Sequence, residues 1–77
     1  MFDRKTRLML ILGLLNDAFG DVRSIMANIS DFIGSHPEMR EEIEEFKLND
    51  ILNHALNLER EIDEVMSKLK REIFEER

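Results

Sequence analysis

A chain of 77 residues with 17 acidic and 11 basic side chains, a formal net charge of −6, has room for one domain and no broad electrostatic attraction to nucleic acid. It contains no Cys, which excludes a disulfide framework, thiolate metal sites and a Cys nucleophile. Its longest unbroken apolar run, Leu8 to Leu12, falls far short of the roughly 20 residues a membrane span needs.

From the N-terminal end, apolar residues recur with a seven-residue period in three adjacent columns. Leu8, Leu15, Val22 and Ile29 form the first column; Ile11, Ala18, Ile25 and Phe32 the second; Leu12, Phe19, Met26 and Ile33 the third. Such a wide apolar face is that of a bundle helix, and no alternating stretch suggests a strand. The pattern predicts a helix over about residues 3–33. Its first turns are apolar nearly all round, because Met9, Leu10 and Leu14 fall outside the three columns.

Gly34-Ser35-His36-Pro37 is the one cluster of helix-breaking residues. Gly34 suits the left-handed cap of the first helix, Pro37 suits the first turn of the next, and Ser35 with Glu38 has the spacing of a capping box. A turn over 34–37 is expected, then a second helix over about 37–75, since no Pro or Gly follows Pro37. From Ile51 its apolar residues (Ile51, Ala55, Leu58, Ile62, Val65, Leu69) step by four and three, as in coiled coils. Leu52, Leu56, Met66, Ile73 and Phe74 widen the stripe.

A connection this short folds two long helices back on one another, so the expected fold is all-α: a single antiparallel helical hairpin over residues 1–77. Two helices alone bury one stripe each, which leaves little net stability. The second helix, about eight residues longer than the first, is expected to overhang it. Contiguous apolar patches of this kind mark interfaces. The expected arrangement is a homodimer in which two hairpins form a four-helix bundle, with Met9, Leu10, Leu14, Leu52, Leu56, Leu69, Ile73 and Phe74 at the oligomer interface. An acidic turn end (Glu38, Glu41, Glu42, Glu44, Glu45) and a basic end (Arg4, Lys5, Arg7, Lys68, Lys70, Arg71) favour hairpins laid end for end.

Candidate chemistry is sparse. Glu41 with Glu44, Glu42 with Glu45, and Glu61 with Glu64 place carboxylates three apart on a helix face, a spacing that can hold Mg²⁺. Two such pairs resemble the E-x-x-E…E-x-x-D signature of the all-α nucleoside triphosphate pyrophosphohydrolases, which implies metal-dependent phosphohydrolysis. Here the pairs fall on one predicted helix, and Glu64 stands where that signature has Asp. Solvated surface charge is the simpler account. Asp50 and His54 are four apart but lack the E-x-x-H spacing of bundle metal sites. No Ser sits in a nucleophile elbow, and no Gly-rich phosphate loop is present.

The basic residues of the terminal end suggest RNA or an anionic membrane, and the architecture is similar to that of small RNA-binding hairpin dimers that control plasmid copy number. The lack of Tyr and Trp and the nearby glutamates make nucleic acid an unfavourable partner. The sequence is therefore read as a non-enzymatic, cytoplasmic helical protein that acts through protein contacts as a regulator, adaptor or assembly subunit. It is expected to have no catalytic, metal or cofactor-binding residues. The alternatives are the metal-dependent phosphohydrolase and an RNA- or membrane-binding dimer.

Overall fold

The structure is a computed structural model and describes residues 2–74. It is all-helical: α1 spans Arg4–Ser35, a 3-10 turn spans Pro37–Met39, α2 spans Arg40–Glu45 and α3 spans Leu48–Phe74. Asp3 starts α1, its carboxylate accepting a hydrogen bond from the Thr6 backbone N–H at 2.8 Å. That bond satisfies one of the orphan donors of the first turn. Because the N–H binds the ionised form, the Asp3 carboxyl is held below its ordinary value.

The turn departs from the expectation in detail. Gly34 and Ser35 remain helical, and no glycine adopts a positive φ. His36, at φ −128°, ends α1 instead. Its ring lies 4.6 Å from that of Phe32, and its Nδ1 is 3.0 Å from Glu38 Oε2. Pro37 then opens the 3-10 turn, where its missing N–H costs nothing. Ser35 makes no capping box, since it still belongs to the preceding helix.

The predicted second helix is divided. Lys47 has φ 56°, a left-handed conformation uncommon outside glycine, and it separates α2 from α3. The backbone N–H groups of Phe46 and Lys47 close α2 on the carbonyls of Glu42 and Glu44, at 3.0 and 3.2 Å. The break lets α2 fold over the end of the molecule and bury Ile43, beside Ile33 and Asn49. Leu48 restarts the chain as a helix of 27 residues, which fits within the 32 of α1. The expected overhang is therefore absent: Glu72 is paired with Arg4, and Ile73 is 1% exposed.

The two long helices run in opposite directions, since Arg4 reaches Glu72 at one end while Arg23 reaches Glu59 nearer the middle. Between them α1 supplies its first and third columns, and α3 supplies Leu52, Ala55, Ile62, Met66, Leu69 and Ile73. Val22, Ile62 and Met66 form the centre, packed by Leu12, Leu15, Ala18, Phe19, Met26 and Ala55. The result is one seam and no second layer. The radius of gyration is 17.3 Å, against about 11.5 Å for a compact domain of this length.

Candidate interaction surface

The seam has two open sides, and they differ in chemistry. On one side the second column of α1, Ile11, Ala18, Ile25 and Phe32, continues the seven-residue series that begins at Arg4. On α3 the series ending at Glu72 runs back through Val65, Leu58 and Ile51. Arg4 Nη2 lies 3.0 Å from Glu72 Oε1, so the two series start side by side. Equal steps of seven in antiparallel helices keep them side by side along the molecule. The large apolar members of both series, Ile11, Ile25, Phe32, Ile51, Leu58 and Val65, are 40–49% exposed. That uniformity describes a face, not scattered surface residues.

The opposite side is polar. Asn16, Arg23 and Ser30 of α1 and Asp63 and Lys70 of α3 are exposed. Arg23 Nε is 3.6 Å from Glu59 Oε2, and its guanidinium stands over the Phe19 ring at 5.8 Å. A shallow groove here is lined by Arg23, Met26, Ser30, Leu52, Leu56 and Glu59. A second holds Met9, Asn16, Met66, Lys70 and Phe74.

The residues expected at an oligomer interface divide into three groups. Leu69 and Ile73 are buried within the chain, because α1 reaches far enough to cover them. Leu52 and Leu56 are half-buried. Leu10, Leu14 and Phe74 remain open, at 56%, 65% and 66%, and Met9 is exposed with them. Leu10 and Leu14 lie beyond the second column, away from the seam, and extend the apolar face around α1. The sequence reading assigned Ile11, Ile25, Phe32, Ile51, Leu58 and Val65 to the internal stripe. Their exposure was nonetheless signalled, since three parallel columns are wider than one antiparallel neighbour can cover.

The polar candidates do not converge. No group of three His, Asp or Glu side chains among the described residues is placed to hold a metal ion. The break at Lys47 puts Glu41 and Glu44 on α2, apart from Glu61 and Glu64 on α3. Asp50 and His54 are exposed on α3, while His36 Nδ1 holds the Glu38 carboxyl below its ordinary value. At the basic end, Arg4 is committed to Glu72. No helix among the described residues is long and apolar enough to cross a membrane.

This architecture places the chain among small all-helical proteins built on two long packed helices. A curated protein of Archaeoglobus fulgidus, named as an uncharacterized protein, is 51% identical over 69 residues, covering 90% of this chain and 91% of its own. The chain belongs to the same family as that protein. No family model matches the chain, and no solved structure matches it.

Proposed function

We propose that the protein is a non-enzymatic helical hairpin that associates with a second copy of itself into a four-helix bundle and acts through protein contacts, as a regulator, adaptor or assembly subunit. One observation carries the reading. The chain exposes 6296 Å², whereas a monomeric protein of its 9.1 kDa mass exposes about 4,900 Å². The surplus of about 1,400 Å² exceeds the roughly 800 Å² per partner of a standard interface. It also includes open apolar side chains such as Leu10, Leu14 and Phe74. Burying surface of that kind is the main favourable term in association.

Size-exclusion chromatography with light scattering tests the reading at micromolar concentration. A mass twice that of the chain is expected, with a thermal midpoint that rises with protein concentration. A stable monomer with a concentration-independent midpoint would overturn it.

A further inference from the structure

The apolar stripe of each long helix is centred off the seam. On α1 the first column, Leu8, Leu15, Val22 and Ile29, lies between the other two, which stand about 50° to either side of it. On α3 the corresponding middle column is Leu48, Ala55, Ile62 and Leu69, flanked by Leu52, Met66 and Ile73 on one side and by Ile51, Leu58 and Val65 on the other. In both helices one flank is spent on the internal seam and the other is open. A stripe centred this way points between two neighbours at right angles, as in one corner of a four-helix bundle. Each helix already has one neighbour in the chain. The open flank marks the place of the second.

We propose that the face formed by Ile11, Ala18, Ile25 and Phe32 of α1 and Ile51, Leu58 and Val65 of α3 is covered by the same face of a second copy, with like ends together and α1 of each copy lying over α3 of the other. The proposal rests on the self-association reading and specifies its surface and register. The two-fold symmetry of a closed dimer permits two ways of laying this face on itself. With like ends together, Ile11 meets Val65 and Ile25 meets Ile51 of the second copy. The small Ala18 then receives the larger Leu58 on both halves, so the gap between helices stays even. Arg4 of each copy also comes beside Glu72 of the other, and the two ion pairs alternate in sign. With opposite ends together, Ala18 faces Ala18 and Leu58 faces Leu58, leaving a void beside a clash. Arg4 is then set over Phe32, without a carboxylate. The acidic and basic ends of the molecule favour that second order, but their charges are exposed and screened by salt. The occupant is a second copy because the face is self-complementary in size and charge, and because the surface surplus matches a dimer's needs.

The test uses the full chain, whose lack of Cys lets single cysteines report proximity. A mixture of the Ile11→Cys and Val65→Cys variants is expected to form the mixed crosslinked dimer with a short bismaleimide. A mixture of Ile11→Cys and Ile25→Cys is not. Ile25→Glu and Leu58→Glu, at positions already half open, should keep the helical circular dichroism and raise the dimer dissociation constant by about 30-fold or more. Crosslinking of Ile11→Cys to Ile25→Cys would overturn the register. A wild-type dimer insensitive to Ile25→Glu and Leu58→Glu but dissociated by Phe74→Glu would overturn the face, while leaving self-association standing. A monomeric wild type would remove both.

Discussion

The carbonyl of Lys47 accepts the backbone N–H of Ile51 at 3.2 Å, although Lys47 itself sits at φ 56°. One residue thus ends α2 in a left-handed conformation and begins the hydrogen-bond ladder of α3. For a side chain with a Cβ that conformation costs roughly 1–2 kcal/mol. Lys47→Gly should therefore raise stability by about 0.5–1 kcal/mol, the relief of strain exceeding the entropy lost on fixing glycine. Lys47→Val should lower it by more than about 1 kcal/mol, because a β-branched residue tolerates positive φ least. Urea titrations followed by circular dichroism measure both. A Lys47→Val variant as stable as the parent would mean that 46–47 is helical and that α2 and α3 are continuous.

That break is also where the sequence was least informative. The residues Phe46-Lys47-Leu48 contain neither Gly nor Pro, and Met39, Ile43 and Phe46 continue a helical spacing. What overrides it is tertiary: burial of Ile43 at the end of the seam against Ile33. Gly34 errs in the opposite direction. It carries a strong local stop signal, but the chain stays helical until His36 stacks on Phe32. The long packed helices, by contrast, were legible, because Val22, Ile62 and Met66 belong to seven-residue columns that only a helix aligns. The same columns gave the width of the apolar face but not its division. Whether Leu58 or Leu52 turns inward depends on how far α3 rotates about its own axis, and periodicity alone does not contain that angle.

The seam depends on very few buried side chains, so single truncations there should be costly. Ile62→Ala and Met66→Ala each remove a residue of the central cluster, and large-to-small changes at such sites cost about 2–4 kcal/mol. Phe46→Ala, at a side chain 68% exposed, should cost less than about 0.5 kcal/mol. Urea midpoints at fixed protein concentration measure the contrast. Equal effects at Ile62 and Phe46 would contradict the assignment of the seam.

The start of α1 should loosen in acid. The Thr6 N–H holds the Asp3 carboxyl below its usual value of 3.8. A depressed carboxyl contributes its stabilisation above the unfolded-state value and loses it as pH falls through the lower folded-state value. Amide exchange at Thr6 and Arg7, measured relative to the middle of α1, should therefore increase below about pH 4. Asp3→Asn keeps an accepting side chain without the ionisation and should flatten that dependence. Asp3→Ala should fray the first turn at every pH. An unchanged acid response in Asp3→Asn would assign the loosening to another group.

Glycine provides a stabilising change that also distinguishes one face of the molecule from the other. Gly13 and Gly20 lie inside α1, two residues beyond Ile11 and Ala18, and so about 200° around the helix from the apolar second column. A Cβ placed at either position meets nothing within 4 Å. Inside a helix, replacing glycine by alanine recovers roughly 0.5–1 kcal/mol of backbone entropy. Gly13→Ala and Gly20→Ala should each raise the thermal midpoint, by about 4–8 °C per kcal/mol for a domain of this size. Neither should change the mass of the assembly, because their column faces away from the proposed contact. Loss of the dimer in Gly13→Ala, with helix content intact, would instead place a neighbouring helix on the glycine column, where only the missing side chain permits close approach.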